Sequence, residues 1–180
     1  METGANMPGV QRWALLAAWG AFLATVPSAL WRVLMIVGLL PGTAELREFE
    51  LAGDPVQGYV DVFALSGVQL IAGFLSIGLV RPWGERFLGR TVLLAPVLAV
   101  AILGGLAVTW LFTITTIAQV SAGLRPDNAL VSGIPLAIMA ACYVPILFWG
   151  PLELVATAGY WKRRAGYRDA EQRVGNTDRA

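Results

Sequence analysis

Four blocks of apolar residues, separated by short polar segments, dominate the chain. They cover about residues 13–40, 60–80, 91–117 and 130–160. Each block is long enough to cross a bilayer, because a transmembrane helix needs about 20 apolar residues. Each is also apolar around its whole circumference, which is typical of membrane helices. The pattern predicts an all-α polytopic membrane protein. Its four-transmembrane-helix bundle occupies residues 1–161, and a polar tail occupies residues 162–180.

Composition supports this prediction. Of the 180 residues, 57% are hydrophobic and 14% are charged, whereas a soluble domain averages about 45–50% apolar and ~25% charged residues. The chain therefore leaves little room for a separate soluble domain. Twelve of the 13 basic residues are arginine, a bias that indicates a GC-rich, bacterial genome.

The chain lacks residues that several classes of function require. The chain has no histidine, the commonest metal ligand and general base, and its one cysteine, Cys142, can form no internal disulfide. There is no CxxC motif, no P-loop and no pair of intramembrane aspartates. We therefore expect no catalytic residues, no metal, no cofactor and no nucleic-acid partner, so the chain is not predicted to be an enzyme.

The basic residues predict the orientation. Two, Arg47 and Arg125, fall in the segments on one side, and ten fall on the other: Arg12, Arg81, Arg86, Arg90, Lys162, Arg163, Arg164, Arg168, Arg173 and Arg179. Under the positive-inside rule, both termini lie in the cytoplasm and the protein is a multi-pass protein of the inner (plasma) membrane. A cleaved signal peptide ending near Ala29 is the alternative. Against it, Pro27 occupies a position that requires a small residue, and hydrophobicity resumes directly afterwards.

The polar segments outside the blocks offer little chemistry. The outward loop at 41–59 is net acidic, and its stretch AELREFEL fits either a short helix or an edge strand. We interpret its acids as solvated, with a cation or partner site as the less favoured alternative. The tail at 162–180 is polar and mixed in charge, which predicts disorder.

Prolines and small residues predict how the helices bend and pack. Pro27 is a predicted kink in the first span, and Pro135, Pro145 and Pro151 are predicted kinks in the fourth. Small residues recur at four-residue spacing, which lets helix backbones approach closely. We expect most of these stripes to pack within the bundle: Ala17–Ala21–Thr25, Gly20–Ala24–Ser28, Ala72–Ser76, Ala101–Gly105 and Gly133–Ala137–Ala141.

An intramembrane polar pair is the main candidate site. Arg32 lies eight residues before Leu40, which places its Cα roughly 12 Å below the outer boundary. Glu153 lies nine residues before Lys162, roughly 13 Å from the inner boundary. In a core of about 30 Å their heights differ by only ~5 Å, so Arg32 is predicted to meet Glu153. Gln69, at a similar depth in the second span, is the alternative partner.

Three segments carry a resemblance to other proteins: RVLMIVGLLPGTAELREFELAG, GLVRPWGERFLGR and PILFWGPLELVATAGYWKRR. In these the chain resembles a group of small, uncharacterised four-span integral membrane proteins of GC-rich bacteria. The resemblance implies a four-helix inner-membrane protein, and it transfers no catalytic residues.

Two functions remain open. The first is a non-enzymatic accessory, scaffold or regulatory subunit, in contact with the lipid bilayer and with a membrane-protein partner or a second copy of itself. The second is a small transporter or channel with a polar path lined by Arg32 and Glu153. A dry, packed Arg32 favours the first, and a water-filled path to Arg32 favours the second.

Overall fold

The computed structural model is helical wherever it describes the chain. It describes residues 9–84 and 133–177, together with residues 103, 104, 106, 107, 110, 111, 114 and 131, and its side chains to residue 166. The helices are α1 (Arg12–Ile36), α2 (Ala44–Glu50), α3 (Pro55–Gly78), α4 (Gly133–Tyr143) and α5 (Trp149–Thr177), with a 3₁₀ segment (Val144–Phe148) between α4 and α5. No strand occurs among these residues. The predicted all-α fold is confirmed for them.

Three helical stretches are long and apolar enough to cross a membrane: Arg12–Ile36, Pro55–Gly78 and Gly133–Gly166. They correspond to the first, second and fourth predicted spans. The predicted third span at 91–117 falls mostly outside the described residues. The chain therefore has the helices of a membrane-embedded protein.

Helix α1 ends four residues before the apolar block does. Gly38 follows the C-cap with a φ of 78°, and its N–H donates to the carbonyl of Met35 while the Leu39 N–H donates to that of Leu34. These two bonds form a Schellman motif, for which glycine is favoured because its φ is positive. A glycine followed by Pro41 is the sequence signal for this end. The apolar residues after Ile36 consequently belong to a turn.

Helix α3 begins five residues before its apolar block. Asp54 is its N-cap, and the carboxylate accepts a hydrogen bond from the Val56 N–H at 2.9 Å. Pro55 occupies the first turn, where its missing N–H costs nothing. Between α1 and α3, the loop segment that fitted either a helix or a strand forms the short helix α2.

Helix α1 lies between α3 and α5, and small residues make this possible. Ala17, Ala18, Ala21 and Ala24 are all buried. On α3, a Cβ built on Gly73 would lie 2.6 Å from the Thr25 hydroxyl, so the two backbones are in close approach. The stripes of α1 and α3 thus pack within the bundle, whereas Gly133, Ala137 and Ala141 on α4 are exposed.

The helix ends identify the two ends of the bundle. Arg163 of α5 donates to the carbonyl of Leu79, directly after α3, at 3.2 Å. Gly159 of α5 lies against Ala14 near the start of α1. At the opposite end, Pro135 at the start of α4 lies against Gly42 after α1. The start of α1, the end of α3 and the middle of α5 therefore share one end of the bundle.

Along the fourth predicted span the helix changes from α to 3₁₀ and back to α near two of its prolines, Pro145 and Pro151. Pro145 lies in the first turn of the 3₁₀ segment, Pro151 in the first turn of α5, and Pro135 in the first turn of α4. Each proline occupies a position where a helix tolerates its missing N–H. Helix α1, by contrast, runs through Pro27. Helix α5 continues to Thr177, where composition predicted disorder, and the stretch RDAEQR consists mostly of good helix formers.

Candidate intramembrane polar site

Arg32 meets Gln69 near the end of α1 that lies beside α2. The Arg32 guanidinium (Nη2) donates a hydrogen bond to the Gln69 side-chain oxygen, Oε1. A hydrogen bond from a charged donor is stronger than one between neutral groups. The structure therefore brings Arg32 together with the alternative partner that the sequence offers.

The Gln69 side chain is held from its other end by α1. Its amide nitrogen donates to the Thr25 carbonyl at 2.8 Å and to the Ser28 hydroxyl at 2.7 Å. Gln69 is 6% exposed, and Thr25 and Ser28 are fully buried. Both ends of the Gln69 amide are thus satisfied by α1, so this residue fastens α3 to α1 over two helical turns. We call Arg32, Gln69, Ser28 and Thr25 the Arg32–Gln69 network.

Tyr143 adds a third element to this network. It is the last residue of α4, and the Arg32 guanidinium carbon lies 5.8 Å from its ring centroid, a cation–π distance. The Tyr143 ring also meets Trp31 edge-on, with ring centroids 5.9 Å apart. Arg32 consequently touches α3 and the end of α4 at once. Its Nε is buried and has no hydrogen-bond partner among the described residues.

Glu153 forms a separate polar site. It is 1% exposed, and its Oε1 accepts a hydrogen bond from the Ser76 hydroxyl of α3 at 3.4 Å. Its Oε2 has no hydrogen-bond partner in the described part of the chain. The same holds for two buried groups one turn away on α5, the Trp149 indole N–H and the Thr157 hydroxyl. We call Glu153, Ser76, Trp149 and Thr157 the Glu153 site.

The two sites lie at different depths, and the described contacts do not join Arg32 to Glu153. Ser76 lies seven residues after Gln69 in α3, which corresponds to roughly 10 Å along the helix. The sequence predicted similar depths for Arg32 and Glu153, and this prediction assumed that α1 ends at Leu40. Helix α1 ends earlier, so Arg32 lies nearer to the end of its helix. Arg32 is four residues from Ile36, or about 6 Å from the end of its helix, and not the roughly 12 Å that an end at Leu40 implied.

Some of the charged residues of the acidic outward loop have structural roles. Asp54 caps α3, and Arg47 donates to the Ile36 carbonyl at 2.9 Å and to the Tyr59 hydroxyl at 3.0 Å. Arg47 therefore ties α2 to the end of α1 and the start of α3. The loop glutamates Glu45, Glu48 and Glu50 are exposed, in keeping with solvated charges.

Sequence reasoning missed several members of these sites. The sequence pattern marks Thr25, Ser28 and Ser76 only as small packing residues, and it gives no signal for Tyr143, Trp149 and Thr157. A usable signal was present in α3, where Ser66, Gln69, Gly73 and Ser76 recur at spacings of three and four and are all buried. A polar stripe on an apolar helix marks the side that faces the bundle interior.

A cavity of about 390 Å³ lies at the α2 end of the bundle. It is almost entirely apolar and is lined by Trp31, by residues 40–43 after α1, and by Ile134, Pro135 and Ile138 of α4. Its lining includes neither Arg32 nor Glu153. It is therefore a feature separate from both polar sites.

No group of His, Cys, Asp or Glu side chains able to hold a metal occurs among the described residues. Comparisons with models of protein families, with curated proteins and with solved structures find no match. The resemblance to small four-span proteins of GC-rich bacteria therefore stays a prediction.

Proposed function

We propose that the chain is a four-span inner-membrane protein with both termini in the cytoplasm. Three of these spans correspond to described helices that are long and apolar enough to cross a membrane. Helix α3 ends at the end of the bundle where α1 starts, whereas α4 starts at the opposite end. These opposite positions of the end of α3 and the start of α4 support the predicted third span at about 91–117. The end that holds Arg12, Arg81 and Arg163 carries the basic excess, so it is the cytoplasmic end.

Within the membrane, we propose that the protein is a non-enzymatic accessory, scaffold or regulatory subunit. One observation carries this proposal. The small-residue stripes of α1 and α3 are covered by neighbouring helices, while Gly133, Ala137 and Ala141 on α4 are exposed at the same four-residue spacing. Such a stripe lets a second transmembrane helix approach closely. The partner is another membrane protein or a second copy of this chain.

The hydrogen bonds of the Gln69 amide support the same role. Gln69 bonds to α1 through both ends of its amide. A buried amide that is bonded at both ends gives rigidity and fixes how two helices pair. A rigid bundle presents its outer α4 face in a constant geometry, which suits a subunit that holds a partner.

Filling the stripe is expected to release the partner. Ala137→Leu places a bulky side chain in the middle of the exposed stripe, so co-purification from native membranes in mild detergent should fall at least tenfold, or ~1.4 kcal/mol of association free energy. Ala64→Leu is the matched control, because Ala64 is exposed on α3 outside the stripe. Two differently tagged copies expressed together distinguish a second copy from another protein. Equal partner recovery from both variants would refute the α4 interface.

The second candidate function is a small transporter or channel with a polar path lined by Arg32 and Glu153. The observation that favours it is the set of buried polar atoms that lack partners among the described residues, at the levels of both Arg32 and Glu153. Intramembrane ionisable residues commonly mark ion and proton pathways.

Proton flux tests this candidate. In proteoliposomes that contain a pH-sensitive dye, the wild-type chain should dissipate an imposed pH gradient faster than protein-free vesicles do. Glu153→Gln should return the rate to that of protein-free vesicles, since the amide cannot take up and release the proton. Asp61→Asn serves as the control for an exposed carboxyl. Wild-type vesicles as tight as empty ones would exclude proton transport.

A further inference from the structure

Among the described residues, Glu153 has a deeply buried ionisable side chain that is not part of the Arg32–Gln69 network. It is 1% exposed in the middle of a span, and one of its oxygens has no hydrogen-bond partner among the described residues. An uncompensated charge at such a position is costly, because a carboxylate loses its hydration and gains no cation in return. Whether Glu153 is protonated therefore depends on the groups that surround it.

No cation lies in the immediate surroundings that the structure describes. On α5, Glu153 is placed between two apolar clusters, one with Ala156 and the other with Trp149. The buried residues of α1 in those clusters are alanines, and the polar residue of α3 that contacts Glu153 is Ser76. The nearest titratable side chain on α5 is Tyr160, two turns further on. Arg163 lies ten residues away, roughly 15 Å along the helix, with Nη2 bonded to the Leu79 carbonyl.

The polar groups that do surround Glu153 suit a protonated carboxyl. The Ser76 hydroxyl lies 3.4 Å from both Glu153 Oε1 and the Ala72 carbonyl, and it has one proton to donate. When it donates to Ala72, its oxygen is free to accept the proton of the Glu153 acid. Thr157 lies one turn later on the same helix face, at the spacing where side chains are neighbours. Its buried hydroxyl and the Glu153 Oε2 both lack a hydrogen-bond partner in the described part of the chain, so the two groups are not bonded to each other in this conformation. After a change of rotamer, the hydroxyl can accept the acid proton and donate its own to the next acceptor. Hydroxyl groups relay protons because each is both donor and acceptor. Tyr160 follows at the next position of this face and is also buried.

We infer that Glu153 is a proton-binding site, whose proton exchanges with the basic end of the bundle through Thr157. Glu153, Thr157 and Tyr160 recur at spacings of four and three on α5, so their side chains follow one helix face toward Lys162. The inference goes beyond the subunit role and also supplies the proton carrier that the transport alternative requires. Its test measures the protonation of one carboxyl group and not proton flux or partner binding. The proton-binding site, the transport function and the subunit role can therefore each fail separately.

Infrared spectroscopy of the full chain in lipid vesicles tests the site. At neutral pH the wild-type protein should show the C=O stretching band of a protonated carboxyl, and Glu153→Gln should remove that band. Asp61→Asn, at an exposed carboxyl that accepts a hydrogen bond from Gln57 at 2.7 Å, should leave the band unchanged. Glu153→Asp keeps a carboxyl and should shift the band, so the assignment stands even if the glutamine variant fails to fold.

Exchange into D₂O tests the route. The band should shift as the proton is replaced by deuterium, and Thr157→Val, which removes the hydroxyl and keeps the shape, should slow this shift about tenfold, or ~1.4 kcal/mol of barrier. If Glu153→Gln removes carboxylate bands and no protonated band, Glu153 is charged and the inference is overturned. An unchanged exchange rate in Thr157→Val would overturn the proposed route.

Discussion

Replacing Gln69 by leucine is expected to lower the free energy of unfolding by about 2 kcal/mol, because it removes a hydrogen bond from a charged donor. The substitution leaves the Arg32 guanidinium with Tyr143 but without its hydrogen-bond acceptor. It also removes the two bonds from the amide to Thr25 and Ser28. Gln57→Leu is the matched control, since Gln57 is exposed and bonds to Asp61 within its own helix. Reversible unfolding in mixed detergent micelles measures both changes.

A double-mutant cycle isolates the contact between Arg32 and Gln69. Arg32→Met alone should leave the Gln69 carbonyl buried without its donor, whereas Arg32→Met with Gln69→Leu replaces both polar partners by apolar groups. The double variant should therefore be more stable than the sum of the single effects predicts, by about 1 kcal/mol, the net contribution of one hydrogen bond. The cycle between Arg32→Met and Glu153→Gln should be additive within about 0.5 kcal/mol. The opposite pattern would show that Arg32 pairs with Glu153 and contradict the described network.

Replacing Gly159 by alanine is expected to destabilise the bundle by about 1–3 kcal/mol, the usual cost of overpacking a well-packed contact. A Cβ at this position would lie 2.4 Å from the Cβ of Ala14 and 3.2 Å from the nearest Trp13 ring atom. Neither Cβ can turn away, because each is fixed to its backbone. The helices α1 and α5 would have to separate, at the end of the bundle where α1 begins.

A size exchange checks this explanation of Gly159. Ala14→Gly combined with Gly159→Ala moves the methyl group from one helix to the other, so it should recover most of the stability that Gly159→Ala loses. Gly166→Ala is the control on the same helix, because a Cβ there meets nothing within 4 Å. Unfolding free energies of the three variants and of the wild-type chain can be compared in the same detergent. If Gly159→Ala were as stable as Gly166→Ala, α1 and α5 would not pack as described.

The apolar blocks predicted the class of the fold and the approximate places of the spans, because membrane helices have to be apolar over about 20 residues. They did not predict the helix ends. Those depend on single residues, such as Gly38 in the turn after α1 and Asp54 at the start of α3. A four-residue difference in the end of α1 was enough to change the depth of Arg32 and, with it, the choice of partner.

The polar site was only partly accessible from the sequence. Arg32, Gln69 and Glu153 stand out as polar residues in apolar blocks, so they could be selected as candidates. Which of them meet depends on how far each helix slides along its neighbour, and packing decides that through contacts such as Gly73 with Thr25. Thr157 and Trp149 gave no signal, since a threonine or tryptophan satisfies an apolar pattern wherever its side chain points.

One measurement tests directly whether the protein is a subunit of a larger membrane assembly. Native mass spectrometry of the protein, released with its surrounding lipid from native membranes, reports the mass of the complete particle. We predict a mass above that of one chain, with wild-type protein and Ala64→Leu retaining the added mass and Ala137→Leu losing it. A wild-type particle with the mass of a single chain, released under conditions that keep other membrane complexes intact, would contradict the proposal.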